Sequence, residues 1–559
     1  MTGATPGVRA DGCPTGGAPV GFAGTVTSAR MLLETVCSCG GRHVPPAGSD
    51  AVPGPVVVGP FASAGRLAQT WADPATGTLG RGALSQTRLF YAVADGPVPE
   101  GRLVRFSTDL ADLVGPGTAM WAAAVAATLA GDALPMPLTP YEGIFQLACG
   151  TTLGTPGGRE RLTLDELDLA DLADQARPIT GRPTDPREVV RRALLHAVDE
   201  ALATAGGYGV LGDGGGLGAA ALASVAPAPL RRLHVHLDVP VLDRRRGRLP
   251  AGTGVIDATA HWHQACDASW CGSAGDSDPW PPAPDLLRSA GWEAAPFLSG
   301  AGLVRLLSGA TDAPGRLRTG WRQLTMAAPF PTLFGRPGWR AWSPPRSDEP
   351  PPPHTDGDHA DHADAALPGG WISSAVAQAG VAVTSAGAAS HLIPIVEDTT
   401  GAVPGAESLQ AVLDLLERPP RTPGDRRLDP ILVCAHPVVL GAAVLLARHG
   451  RLRLRRRDGY VQRAPVLRDL VPSGLLPADV TPGARESLLA AAFVARRLGT
   501  PERRAALLAQ VEGSPWILPD RLRAVLADSA RVLAEARALQ RLCATAALHP
   551  GAPASGDRS

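Results

Sequence analysis

Two stretches of the sequence have the residue types that bind metals or phosphates. In the first, His261, His263, Cys266 and Cys271 offer two imidazoles and two thiols, the donors that zinc prefers. Their spacing differs from that of a standard zinc finger, so unliganded side chains are the alternative interpretation. The second stretch, residues 212–220, has the sequence GDGGGLGAA. It could bind an anion.

Glycines at a strand-to-helix turn expose backbone N–H groups that can hold a phosphate at the N-terminus of the helix. The residues that would form such a site are Asp213, Gly214, Gly215, Gly216 and Gly218. A flexible turn without a ligand is the alternative.

The segments around the glycine-rich loop read as strand, loop, helix and strand. The second strand is indicated by alternating apolar residues, Leu233, Val235, Leu237 and Val239. This order predicts an α/β unit with a parallel sheet. A helix is predicted to begin after Asp185, because Asp is a good N-cap, Pro186 suits the first helical position and Glu188 completes a capping box. Its apolar face would contain Val189, Ala193, Ala197 and Ala201.

The rest of the chain divides by composition. The runs PVVVGPF, TRLFYAVA and RLVRFSTDL predict a small β-rich domain, and apolar periodicity predicts mainly helices near the C-terminus, including a long run from Pro519 to about Leu548. The predicted parts are a poorly ordered start (1–50), a first domain (51–155), a second domain (156–548) with a disordered insert (343–368), and a tail (549–559).

Charge and composition exclude several classes of function. The formal net charge is -1, so the protein as a whole has no electrostatic attraction for nucleic acid or an anionic membrane. There is no long apolar run, no signal-peptide pattern and no dense cysteine framework, and we therefore expect a cytoplasmic protein without a membrane or nucleic-acid partner. The sequence contains no lysine, which removes any chemistry that needs a side-chain amine.

One segment, Thr139-Pro140-Tyr141-Glu142-Gly143-Ile144 with Leu147, Gly150 and Leu153, resembles the connector between the two domains of asparagine synthetases. The order of the downstream segments agrees, and the Leu/Arg/Ala-rich tail is most similar to that of actinobacterial lasso-peptide macrolactam cyclases. The resemblance implies an α+β glutaminase-like (Ntn-type) domain. An α/β adenine-nucleotide hydrolase-like (ATP-pyrophosphatase) domain with a helical C-terminal lobe would follow it.

The resemblance also implies ATP and Mg²⁺ as cofactors, but the positions expected to bind them are altered. In the first loop the magnesium carboxylate is replaced by Leu217 or, in the other register, by Gly218. The family's second magnesium loop, Ser/Thr-Gly-x-Gly-Gly-Asp, is best matched by residues 297–304. There Ser299, Gly300 and Gly302 stand at the loop positions and Val304 stands in place of the aspartate. Only Gln462 or Arg463 is available where the family has its catalytic lysine, and Thr2 stands where a glutaminase needs cysteine.

Three functions follow from these features. The first is a catalytically impaired relative in peptide natural-product biosynthesis that binds a precursor peptide or other peptide-maturation proteins. The second is an active ATP-dependent amide-bond (macrolactam) ligase in which Asp213 or Asp238 holds magnesium. The third is a zinc-binding protein that uses the cluster from His261 to Cys271.

Overall fold

The computed structural model describes part of the chain. The described residues are 19–26, 31–37, 42–43, 54–95, 102–115, 118, 139, 141–154, 161–164, 167–204, 210–213, 216–226, 231–236, 253–257, 297–308, 371, 395–396, 412–413, 415–416, 431–452, 455–457, 460–462, 464–473, 476, 482–512, 514 and 517–546. These residues form a mixed α/β protein.

The N-terminal part is built from two antiparallel sheets. Their strands are β1 (Pro19–Val26), β2 (Met31–Cys37), β3 (Arg42–His43), β4 (Val56–Val58), β5 (Thr70–Asp73), β6 (Thr78–Arg81), β7 (Phe90–Asp95), β8 (Arg102–Ser107), β9 (Ile144–Gln146), β10 (Thr151–Gly154) and β11 (Arg161–Leu164). One sheet has the order β3-β2-β1-β8-β7-β9 and the other β11-β10-β6-β5-β4.

The two sheets pack face to face as a sandwich. Along β8, Val104 and Phe106 are buried while Arg105 between them is exposed, which is the alternation of a half-buried strand. One apolar cluster contains Phe22 and Phe106 from the first sheet and Leu79 and Leu153 from the second. The sandwich therefore has a core of its own. A β-rich first domain was predicted, but β1 and β2 lie within the range 1–50 that was predicted to be poorly ordered, and there the prediction was wrong.

The connector motif joins the two sheets of the sandwich. The Thr139 hydroxyl donates to the carbonyl of Ile144 at 2.7 Å and accepts from the Tyr141 N–H at 3.2 Å, which closes a turn. Gly143 and Gly150 have φ values of +72° and +67°, which glycine adopts without the strain of a side chain. These contacts explain in physical terms why threonine and glycine stand at these positions.

The second part contains a parallel sheet with the order β15-β14-β13-β16-β18. Its strands are β13 (Val210–Asp213), β14 (Arg231–His236), β15 (Thr253–Asp257), β16 (Phe297–Ser299) and β18 (Ile431–Leu432), while β12 (Leu167–Asp168) and β17 (Ile395–Val396) form a separate parallel pair. The helices are α1 (Leu169–Thr180), α2 (Pro186–Thr204), α3 (Leu217–Val225), α4 (Leu303–Leu306), α5 (Pro437–Arg448) and α6 (Pro465–Leu470).

The predicted elements around the glycine-rich loop are confirmed. β13, α3 and β14 follow one another, and the two strands are parallel. At the start of α2, the Asp185 carboxylate accepts from the N–H groups of Arg187 and Glu188, and all four residues of the predicted apolar face are buried. The Glu188 side chain does not fold back to complete the capping box and bonds Arg191 and Arg192 instead.

A continuous core joins the sandwich to the second part. Phe61, Leu84 and Cys149 of the sandwich belong to the same buried cluster as the helices α1, α2 and α5. α5 lies directly against α1. A Cβ atom added to Gly441 would lie 2.0 Å from the carbonyl oxygen of Leu172, so this contact requires glycine.

The C-terminal lobe has a separate core. It contains α7 (Pro482–Arg497), α8 (Pro501–Val511), α9 (Pro519–Ala527), α10 (Ser529–Ala534) and α11 (Ala536–Ala546), and its apolar cluster also includes Trp371. The predicted run from Pro519 is helical but is divided into three helices. At the first division, the Asp528 carboxylate caps the next helix by accepting from the N–H groups of Ala530 and Arg531. An antiparallel pair, β19 (Arg455–Arg457) and β20 (Tyr460–Gln462), precedes the lobe.

Candidate functional site

The carboxyl ends of β13 and β16 form the most suitable place for a ligand. β14 and β15 lie on one side of β13, whereas β16 and β18 lie on the other. The direction in which successive strands are added to the sheet therefore reverses between β13 and β16. Parallel sheets generally bind their ligands at such a switch point, outside the carboxyl ends of the strands. The glycine-rich loop follows β13, and the Ser299–Gly302 loop follows β16.

The N-terminus of α3 faces this region without a capping side chain. Gly216 is the N-cap and forms no side-chain hydrogen bond to the first turn, which begins with Leu217 and Gly218. Asp213 is the last residue of β13, and its side chain, like residues Gly214 and Gly215, lies outside the description. The first turn of α3 therefore offers backbone N–H groups but no carboxylate for a metal ion.

The two loops are in direct backbone contact. A Cβ atom on Gly218 would lie 2.2 Å from the carbonyl oxygen of Gly300, and a Cβ atom on Gly300 would lie 2.4 Å from the carbonyl carbon of Gly218. No real side chain tolerates such distances. Both positions therefore require glycine, and a ligand that enters between the loops would have to separate them.

The second loop is lined mainly by apolar groups. The Ser299 hydroxyl accepts from the Ala301 N–H at 3.2 Å, so it is engaged with its own loop. A Cβ atom on Gly302 would lie 2.6 Å from Cys434 Sγ and 2.6 Å from a methyl carbon of Leu415. Burial raises the pKa of the Cys434 thiol to about 12, so the side chain is neutral at any physiological pH.

Polar side chains of the sandwich reach the second part close to this site. Gln86 forms two hydrogen bonds to the backbone of Leu432, the last residue of β18, at 2.7 and 2.9 Å. The fully buried Arg81 donates to the carbonyl oxygens of Leu147 and Ser85 in the sandwich and of Leu416 in the second part, at 3.0, 3.3 and 2.8 Å. Gln86 thus fixes the sandwich to the end of β18, and Arg81 fixes it to Leu416.

A second polar cluster lies where α2, the start of α5 and the sandwich meet. His436 Nε2 is 2.9 Å from Glu200 Oε2, and the backbone N–H and hydroxyl of Ser63 both donate to the Glu200 carboxylate at 2.6 Å. The ring of His196 meets His436 edge-on, with 5.5 Å between their centroids, and Phe61 meets it at 4.6 Å. The His436 side chain is 1% exposed, and the Glu200 side chain is partly buried, with 10% exposed.

The protonation states in this cluster follow from its hydrogen bonds. His436 is the N-cap of α5, and its Nδ1 accepts from the Val438 N–H at 3.1 Å, so the proton of the neutral ring is on Nε2 and is donated to Glu200. Burial lowers the pKa of His436. Burial acts to raise the pKa of Glu200, but hydrogen bonds from His436 and Ser63 outweigh it and bring that pKa to about 2.

His196, Glu200 and His436 are the one described group whose side chains could supply three ligands to a metal ion. Two of the three are already engaged, because Glu200 accepts from Ser63 and His436 and both nitrogens of His436 form hydrogen bonds. To bind a metal through Nε2, a neutral His436 would have to carry its proton on Nδ1. That proton would point at the N–H groups of the α5 N-terminus, where an acceptor is needed. The donor set therefore fits an intramolecular hydrogen-bond network better than a metal ion.

The structure brings some predicted site residues together, whereas others lie outside the described residues. Gly216, Gly218, Ser299, Gly300 and Gly302 lie at the same edge of the sheet. Gln462 ends β20, and Arg463 lies outside the described residues, as does the predicted zinc cluster, His261, His263, Cys266 and Cys271. The insert 343–368 also lies outside them.

Sequence reasoning missed the Glu200 cluster. Its one local signal is the pair His196 and Glu200, four residues apart on the predicted helix and therefore on one face. Nothing local connects that pair to His436 or Ser63, which lie far away along the chain.

Comparison with known proteins adds no relative: the sequence matches no protein-family model and no curated protein. The resemblance to asparagine synthetases therefore rests on the motifs and on the order of the elements. Within the described parts of the chain, none of the helices has the length and apolar character that crossing a bilayer requires.

Proposed function

We propose that this protein is a catalytically impaired relative of the asparagine synthetase-like amide ligases, and that it binds a peptide instead of activating a carboxylate. The observation that carries the proposal is the pair of loops after β13 and β16. They lie side by side at the switch point of the parallel sheet, and apolar residues stand where the resemblance would put magnesium ligands.

The loss of these groups bears directly on adenylation chemistry. Activation of a carboxylate by ATP needs Mg²⁺ and donors that stabilise the charge developing on the phosphates. Leu217 or Gly218 stands at the first carboxylate position and Val304 at the second, and no lysine is available. Each lost donor of this kind costs about 3 to 4 kcal/mol, so the combined loss would slow the reaction by several orders of magnitude.

The chemistry left at the site favours a peptide partner. The described loop residues offer backbone N–H groups at the start of α3 and apolar surface from Leu217 and Val304, which are both half-buried. Backbone N–H groups at a helix N-terminus can bind a carboxylate or carbonyl oxygen of a peptide, and the apolar side chains beside them can contact its side chains. Leu217 and Val304, in contrast, cannot hold the magnesium ion of MgATP. A precursor peptide or another peptide-maturation protein fits the resemblance to lasso-peptide cyclases.

One observation favours the active ligase as a second candidate. Asp213 ends β13 at the edge of the sheet where the two loops meet, so a carboxylate is available close to the switch point. In that case Asp213, or Asp238 further along the chain, would hold magnesium. The zinc-binding alternative depends on the cluster from His261 to Cys271, and elemental analysis of the purified protein decides it.

Calorimetric titration with MgATP tests the proposal. We expect no magnesium-dependent binding and no exchange of pyrophosphate into ATP, because the metal carboxylates are absent from both loops. Asp213→Asn is the matched control, since it removes the carboxylate that ends β13 and keeps the side-chain size. Magnesium-dependent binding by the wild type that Asp213→Asn abolishes would replace the proposal with the active ligase.

A further inference from the structure

The stretch Leu432–His436, called here the strand-end segment, joins β18 to α5. It begins at the last residue of β18, passes through a 3₁₀ turn at Val433–Ala435 and ends at the N-cap of α5. At its first residue, Gln86 Oε1 accepts from the Leu432 N–H and Gln86 Nε2 donates to the Leu432 carbonyl. This side chain satisfies both backbone groups as a neighbouring strand would.

The other end of the segment is also held by the sandwich. His436 donates to Glu200, and Glu200 in turn accepts two hydrogen bonds from Ser63. The Phe61 ring packs edge-on against His436 from the same side. Both ends of a five-residue stretch are therefore fixed, directly or through one carboxylate, by residues of the sandwich.

The middle of the segment contacts the ligand edge of the parallel sheet. Cys434 is completely buried, and its sulfur occupies the space where a side chain on Gly302 would be. Gly302 belongs to the loop after β16, whose other glycine, Gly300, touches Gly218 at the start of α3. The loop after β16 therefore cannot shift towards the strand-end segment unless Cys434 moves too, because closely packed groups leave no free volume.

We propose that the strand-end segment is a coupling element through which the sandwich fixes the position of the loop after β16. When Gln86 holds Leu432 and Glu200 holds His436, Cys434 is fixed against Gly302. Loss of either attachment lets the segment, and with it the loop, open more often. This coupling does not depend on which ligand the edge of the sheet binds, so it stands apart from the function proposed above.

Hydrogen exchange of the full chain, followed by mass spectrometry, tests the coupling. In Gln86→Ala we expect the exchange rate to increase about tenfold in two sets of peptides, those that cover 432–436 and those that cover 300–306. The reason is that local opening no longer has to break the two Gln86 hydrogen bonds, and a factor of ten corresponds to about 1.4 kcal/mol. Thr76→Ala is the matched control, since the Thr76 hydroxyl also forms two hydrogen bonds, with Asp73 and Thr78, in the exposed turn between β5 and β6. Its exchange at both sites should equal that of the wild type.

Ser63→Ala gives a milder second test at the opposite end. Ser63 is exposed, so its loss should not prevent folding, and removal of its hydroxyl bond to Glu200 should raise exchange in the same two regions by a few-fold. Exchange that rises only in 432–436 would overturn the proposal. A rise shared equally by the strands of the sandwich would overturn it too, because that would be a general loss of stability.

Discussion

At the scale of single residues, His436 shows how one side chain can act at two interfaces. Nδ1 caps α5 by accepting from the Val438 N–H, and Nε2 donates to the partly buried carboxylate of Glu200. Ser, Thr, Asp and Asn are the usual N-cap residues, and none of them could reach both partners from this position with the length and rigidity of an imidazole. The neutral ring is the form that can do both, because a protonated ring has no acceptor.

The first prediction concerns the pH dependence of stability at His436. Its pKa in the folded protein lies below 6.5, so the unfolded chain takes up a proton as the pH falls through that value while the folded protein does not. The free energy of unfolding should therefore decrease below about pH 6.5. In His436→Asn, which retains a capping oxygen, the decrease between about pH 7.5 and about pH 5.5 should be smaller by about 1 kcal/mol.

Urea denaturation at the two pH values measures this difference. His449→Asn is the control, because it makes the same substitution at an exposed position at the end of α5. An equal decrease in His436→Asn and the wild type would contradict the neutral, buried state assigned to His436.

At the scale of elements, α5 is a buried helix whose position depends on close approach to α1. The consecutive residues from Pro437 to Leu446 are all buried, so the helix is covered on every side. Gly441 allows the approach, since any side chain there would overlap the backbone of Leu172 in α1. Helix propensity alone gives the opposite expectation, because alanine in a helix interior is normally about 1 kcal/mol better than glycine.

The second prediction is that Gly441→Ala destabilises the protein by about 2 kcal/mol, because overpacking outweighs the gain in helix propensity. Thermal unfolding measures the effect. Gly115→Ala is the control. Among the described residues, the nearest atom to its new methyl group would be Thr118 Oγ at 3.7 Å, an ordinary contact, and we expect a change within about 0.5 kcal/mol. A higher melting temperature for Gly441→Ala would show that α5 and α1 can move apart.

Elements with strong local signals could be predicted from the sequence. Apolar alternation and a glycine-rich turn indicated β13, α3 and β14, and the Asp185-Pro186 pair indicated the start of α2. β1 and β2 were missed because glycine and proline are frequent around them and conceal the period of two. The Glu200 cluster was beyond prediction, since Glu200 and His436 are 236 residues apart and their contact depends on the packing of α2 against α5.

At the scale of the whole molecule, the sandwich and the parallel-sheet part share a core and a set of buried polar contacts. Arg81 is the most deeply placed of these contacts, with a side chain that no solvent reaches. It donates to two carbonyl oxygens of the sandwich and to Leu416 of the second part. A buried guanidinium is tolerated only when such acceptors surround it, so Arg81 ties the two parts together specifically.

The third prediction is that Arg81→Met lowers the free energy of unfolding by about 3 kcal/mol or more, since several buried carbonyl oxygens lose their donor. Chemical denaturation of the full chain measures it. Arg105→Met is the matched control, because Arg105 also donates to a carbonyl oxygen, that of Asp112, but from an exposed position. Its loss should cost less than about 1 kcal/mol. Equal effects of the two variants would contradict the role given to Arg81.

The separate core of the C-terminal lobe has a consequence for the growing polypeptide. Trp371 donates from its indole to Glu535 at 2.6 Å, and its carbonyl accepts from the Leu518 N–H at 2.6 Å, while the other members of its apolar cluster lie between Ala490 and Cys543. At synthesis rates of about 5–20 residues per second, the indole leaves the ribosome on the order of ten seconds before the first of those partners. During that interval a large apolar ring has no lobe to pack into, so the C-terminal core can close only after the sandwich and the parallel-sheet part have both been synthesised.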